Sequence, residues 1–177
     1  MATDLGRHYA TDAEQQRLVR TPHGRLEFLR TQELLRRVLT PSASVLDVGG
    51  GTGVHAEWIA RDGHQVHLID VVPAHVEAAA RLPGVTAAVG DARELAIEDG
   101  NVDVVLLLGP LYHLVEAVER ARALAQARRV LRPGGVLAAA GISRYLSALE
   151  LGSNGTLVET DPLMVSTSPH LLAVATR

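Results

Sequence analysis

Short apolar runs alternate along the chain with stretches whose apolar positions recur every three to four residues, and that alternation predicts the architecture. Val45, Leu46 and Val48 form a first strand, which runs into Gly49, Gly50, Gly51 and Gly53; a helical pattern follows from Val54 to Arg61. His64 to Asp70 reads as a second strand, with Val66, Leu68 and Ile69 apolar. Pro73 suits the first turn of a helix that continues from His75 to Leu82, and Val85 to Val89 is a third strand. Asn101 to Leu108 is almost continuously apolar, as expected of a parallel strand buried on both faces. Leu114 to Leu131 predicts one long helix with Val115, Val118, Leu124 and Val130 on its buried side, and Val136 to Ile142 a fifth strand. Upstream, Arg25 to Leu39 is an amphipathic helix with Phe28, Leu35, Val38 and Leu39 on one side. Repeated strand–helix units predict an α/β fold, a doubly wound and mostly parallel sheet with helices on both faces. Ligands of such sheets bind beyond the carboxyl ends of the strands, where Gly49, Asp70 and Asp91 all fall.

Composition narrows the chemistry. The chain has 177 residues, a net charge of −3 and 47% hydrophobic residues, enough for one domain with a real core and without a basic footprint for nucleic acid. All 17 basic residues are Arg; with no Lys there is neither a phosphate loop of the lysine-bearing kind nor a Schiff-base mechanism. With no Cys there is no disulfide, thiolate nucleophile or zinc–thiolate site, and no metal site is expected; this fits a cytoplasmic protein. The N-terminus shows no signal peptide, and the longest apolar run, Val104 to Leu108, is far too short to span a bilayer.

The glycine turn carries the functional signal. Glycines let the backbone bend sharply and let a ligand approach the main chain, at a helix N-terminus whose free N–H groups favour polar or anionic atoms. A dinucleotide fingerprint needs glycines at positions one, three and six; counted from Gly49, the sixth residue is Val54. Asp47, Gly49, Gly51 and Gly53 instead fill (Asp/Glu)-x-Gly-x-Gly-x-Gly. The stretch resembles motif I of the class I S-adenosylmethionine-dependent methyltransferases, whose core is a Rossmann-like sheet. Leu131-Arg132-Pro133-Gly134-Gly135 is similar to another recurrent signature of that family, a helix stop and turn into strand five.

The resemblance implies roles for further residues. Asp70, about twenty residues beyond the turn, would take both hydroxyls of the ribose, since a carboxylate is acceptor-only, with Val71 beside it. Asp91 would accept a hydrogen bond from the adenine amino group, with the backbone of Ala92 near the ring. Leu108 would line the cofactor pocket, and Tyr9, in a polar N-terminal segment, would fold over it. Gly109-Pro110-Leu111-Tyr112 stands where the nucleic-acid amino-methylating members carry (Asp/Asn)-Pro-Pro-(Tyr/Phe), so the acceptor expected is a small molecule; Tyr112 and His113 are the catalytic candidates, His113 as general base.

The resemblance runs from about Leu26 to Ile142. Residues 1–40 read as an N-terminal helical arm and 41–177 as the cofactor-binding core, shortened from about 143. Ser143 to Leu151 and Thr156 to Met164 are expected as helices flanking the polar linker Gly152-Ser153-Asn154-Gly155, and His170 to Thr176 as a final strand antiparallel to strand five. The family's penultimate strand and substrate cover are missing from this pattern, by natural deletion or by engineering. A sheet so shortened leaves an edge to be covered, most simply by a second copy in a homodimer. Two alternatives to methyl transfer are a core that binds S-adenosylmethionine without turnover and an NAD-dependent oxidoreductase; Val54, Asp91 and the lack of a Tyr-x-x-x-Lys pair oppose the latter.

Overall fold

The structure, a computed structural model, describes residues 22–142 and 170–177. The expected helices at 143–151 and 156–164, the linker between them and Tyr9 lie outside the described residues. Helices α1 (Pro22–Arg36), α2 (Val54–Arg61), α3 (Pro73–Ala79), α4 (Pro110–His113) and α5 (Ala117–Val130) accompany strands β1 (Ser44–Val48), β2 (Gln65–Asp70), β3 (Val85–Val89), β4 (Val102–Leu107), β5 (Leu131–Ile142) and β6 (His170–Thr176). The sheet order is β3-β2-β1-β4-β5-β6. The first five strands are parallel and β6 is antiparallel to β5, from Val136 opposite Thr176 to Ile142 opposite His170. Strand order reverses between β1 and β4, so the switch point lies directly above Gly49 and Gly109.

Successive strand residues point to opposite faces, and the core divides accordingly. Val45, Val66, Leu68, Val104 and Leu106 pack against Leu35 of α1, Ala56, Trp58 and Ile59 of α2, and Ala79 of α3. Leu46, Val48, Ile69, Val105 and Leu107 pack on the other face against Ala123, Ala127 and Val130 of α5. Phe28, Val38 and Leu39 join the first cluster, as the amphipathic pattern predicts, although α1 itself ends at Arg36. By the same alternation Asp47 and Asp70 project toward the α2 face, each within a strand that is otherwise apolar there.

Two expectations are corrected. The long helix expected from Leu114 to Leu131 begins three residues later, as α5 at Ala117, and residues 114–116 separate it from the short α4. The Arg120 guanidinium donates to the carbonyls of Leu114 (2.7 Å) and Val115 (2.6 Å), giving these carbonyls outside the helices a partner in place of a helical one. Of the expected buried side, Val130 is buried, together with Ala123 and Ala127, whereas Val115 (82%), Val118 (67%) and Leu124 (38%) are exposed. The Leu-Arg-Pro-Gly-Gly signature is likewise not a turn before a strand. It lies inside β5, where the register with β4 jumps from Val102 opposite Leu131 to Val104 opposite Val136. This bulge explains its glycines: Gly134 has φ +79°, and a Cβ on Gly135 would stand 2.9 Å from the carbonyl oxygens of Arg132 and Asp103.

Candidate functional site

Four strand tips meet at one end of the sheet, and the glycine turn after β1 is at their centre. Gly49, Gly51 and Gly53 all have positive φ (69°, 59° and 91°), the left-handed region that side chains disfavour. Gly49 donates its N–H to the Ile69 carbonyl at 2.6 Å, which ties the turn to β2. Its missing side chain admits Pro110: a Cβ there would lie 2.6 Å from the proline Cγ. Around Gly51 there is nothing within 4 Å of a Cβ position, so this edge of the turn borders open space. Gly50, which the sequence pattern left without a role, covers Asp47: a Cβ would come within 2.6 Å of Asp47 Oδ2 and of Leu68 Cδ1.

Asp47 is buried, with 2% of its surface exposed, and its Oδ2 has no hydrogen-bond partner among the described residues. Burial, reinforced by the negative charge of Asp70, pushes its carboxyl up to about 7. An unpaired carboxyl beneath a glycine turn is costly unless a cation or a donor answers it.

Asp70 closes the other side of the turn. Its Oδ2 accepts the Gly51 N–H at 2.9 Å, and its Oδ1 accepts the Val72 N–H at 2.9 Å and faces His75 Nδ1 at 3.2 Å. Asp70 and His75 are both buried (7% and 8% exposed), so the acid is fixed in place from three directions. Val71, by contrast, is 61% exposed at the same tip. Asp91, just past β3, accepts from the backbone N–H of Arg93 (2.8 Å) and from its guanidinium, with Nη2 to Oδ2 at 2.6 Å. This pair holds the Asp91 carboxyl below the usual carboxylate range. Ala92 is buried against the α5-side core. Neither Arg93 nor His75 could be singled out from sequence, since their partners are defined only by the folded loops.

After β4, Leu108 is half-buried and Gly109 packs on the turn, where a Cβ would stand 3.1 Å from the Gly49 carbonyl oxygen. Tyr112 and His113 follow on the single-turn helix α4, with ring centroids 4.5 Å apart in an edge-on arrangement. Partial burial lowers the pKa of His113, which keeps the imidazole neutral near pH 7 and able to take up a proton. The fold therefore brings Asp47, Gly49, Gly51, Gly53, Asp70, Asp91 and the 108–113 segment to one edge.

The pattern of a methyltransferase-domain family matches residues 45–135, from β1 through the glycines of the β5 bulge. The chain belongs to that family. S-adenosylmethionine is the cofactor this membership implies, and the structure offers three features that fit it: open space at Gly51, an unpaired buried carboxyl for a cationic group, and two further acids at strand tips. Among relatives of this methyltransferase domain, the ubiquinone/menaquinone biosynthesis C-methyltransferase of Acidiphilium cryptum is 37% identical over 103 residues, 54% of this chain and 40% of the relative. The ubiquinone biosynthesis O-methyltransferase of Xanthomonas campestris is 35% identical over 134 residues, 72% of this chain and 54% of the relative. The chain thus spans about half the length, or less, of these two relatives. A solved structure of a SAM-dependent methyltransferase from Methanosarcina mazei has the same fold, with TM-score 0.61 over 77% of this chain and 75% of that one, at 23% identity. No described helix is long and apolar enough to cross a membrane.

Proposed function

We propose that this methyltransferase domain binds S-adenosylmethionine across the tips of β1, β2 and β3 and passes its methyl group to a small-molecule acceptor at the 108–113 segment. The observation that carries the reading is Asp70, a buried acid pinned by two backbone N–H groups at the edge of an open glycine turn. In this reading Asp70 takes the ribose hydroxyls and Asp91 the base amino group, with Val71, Ala92 and Leu108 against the adenosyl part. Gly49, Gly51 and Gly53 leave room for the amino-acid part, and Asp47 lies below as counter-charge. Bound S-adenosylmethionine supplies a methyl group already activated by a positively charged sulfur. The protein's own task is then to align the acceptor and take its proton, for which neutral His113, beside Tyr112, is suited. The two relatives act in quinone biosynthesis by name, one on carbon and one on oxygen, which supports a small organic acceptor and leaves both atom types open.

Titration calorimetry tests the reading. Wild type is expected to bind S-adenosylmethionine, and Asp70→Ala to weaken it by about 1.5–3 kcal/mol, roughly 10- to 150-fold, the loss of hydrogen bonds to a charged acceptor. Equal affinity for both proteins would remove Asp70 from the site.

A further inference from the structure

A second charged contact reaches the loop of Asp91 from α5. Arg93 presents Nε to Asp91 Oδ1 at 2.9 Å and Nη2 to Oδ2 at 2.6 Å, while its Nη1 donates to Glu119 in the first turn of α5. Glu119 is 26 residues further along the chain and belongs to a different element. All three side chains are about one-third exposed, so they stand at the surface and not in the core.

We infer that Glu119, acting through Arg93, makes the pocket selective for a purine carrying a 6-amino group over one carrying a 6-oxo group. This rests on the reading above that Asp91 meets the edge of the base. The argument is one of donors and acceptors. An ionised carboxylate only accepts, so it pairs with an amino group and is opposed by a carbonyl oxygen. A guanidinium only donates and would reverse that preference if it reached the same edge. Arg93 is one side chain away from Asp91 and has five N–H groups; Asp91 engages Nε and Nη2, and Glu119 engages Nη1. Glu119 therefore draws the far edge of the guanidinium toward α5 and leaves the carboxylate as the group that reads the base. Without Glu119 the guanidinium is held by Asp91 alone, and its Nη1 edge is released to donate to a 6-oxo group. Glu119 touches no ligand in this scheme; it is a positioning residue.

The test compares two ligands that differ at that one group, S-adenosylhomocysteine and S-inosylhomocysteine, by calorimetry on wild type, Glu119→Ala and the double variant Glu119→Ala/Arg93→Ala. Wild type is expected to favour the adenosyl compound at least tenfold. In Glu119→Ala the preference is expected to fall about fivefold or more, through tighter binding of the inosyl compound, and the double variant is expected to lose that gain. A melting curve establishes that each variant is folded, and Glu119→Gln, which keeps the shape and weakens the hold on Arg93, stands in if the alanine variant is not. An unchanged ratio in the folded Glu119 variant overturns the inference while leaving the cofactor reading in place. A wild type that binds neither compound overturns both.

Discussion

Gly49→Ala is expected to lower the stability of the folded chain by about 2–5 kcal/mol and to displace the Gly109–Pro110 segment. Two costs add. A side chain at φ +69° pays roughly 1–2 kcal/mol for the left-handed conformation, and overpacking in a filled site costs about 1–3 kcal/mol more. The second cost is real here because the new Cβ would stand 2.6 Å from Pro110 Cγ and 2.9 Å from Cδ, and a proline ring at a helix start has no rotamer with which to move aside. Thermal unfolding measures the result, a drop of about 5–15 °C for a chain of this size. Gly51→Ala is the comparison. Its φ of +59° carries similar strain, but nothing lies within 4 Å of the Cβ, so it is expected to lose far less stability and to lose cofactor affinity instead. Equal melting temperatures for wild type and Gly49→Ala would mean that Pro110 does not rest on the turn.

Asp47→Asn is expected to stabilise the protein without ligand above pH 7 and to have little effect near pH 4. The folded carboxyl titrates near 7, raised from 3.8 by burial and then by Asp70, so the unfolded chain gives up this proton first as pH rises. Where the unfolded state binds fewer protons, stability falls with pH. The fall begins near pH 4, ends near pH 7 and amounts to about 4 kcal/mol at most, at roughly 1.4 kcal/mol for each pH unit of difference. Asparagine has no charge to bury and escapes it. Urea unfolding of both proteins at pH 4 and pH 8 checks this: a gain of about 2–4 kcal/mol for the variant is expected at pH 8 alone. The same difference at both pH values would show that ionisation of Asp47 is not the cause. A group so costly when unanswered is suited to a role as counter-charge to a cationic ligand, and the variant is expected to bind S-adenosylmethionine more weakly as it gains stability.

The parts of the fold governed by local pattern were legible in the sequence. Helix α2 runs from Val54 to Arg61 and the strands from Val85 to Val89 and His170 to Thr176, each as its apolar period and flanking breakers predict. Position in the sheet was legible too, because β4 has the continuous hydrophobicity of a strand covered on both faces. What the pattern misread depends on contacts far along the chain. Val115 and Val118 fit a helical stripe, yet the carbonyls of Leu114 and Val115 are held by Arg120, and the packed residues of α5 are Ala123, Ala127 and Val130. The β5 bulge depends on Asp103 and Arg132 of neighbouring strands, whose side chains pair at 2.7 Å.

The site divides in the same way. Asp47 and Asp70 stood out as acids at the carboxyl ends of apolar strands, and Asp91 through the family resemblance. Their settings were not: Gly50 over Asp47, His75 against Asp70, Arg93 and Glu119 around Asp91, and Pro110 over Gly49 are all made by folding, two of them between residues more than twenty apart. Sequence locates the acids; only packing tells which of them is pinned, which is paired and which is left unanswered.

The central claim is that one ligand bridges the tips of β1, β2 and β3. A crystal structure of the protein with S-adenosylhomocysteine tests it most directly. The expected result is a ribose within hydrogen-bond reach of Asp70, a base edge at Asp91 and the amino-acid end over Gly51. A complex in which the ligand sits elsewhere, with Asp70 still bound only to Gly51, Val72 and His75, would contradict it.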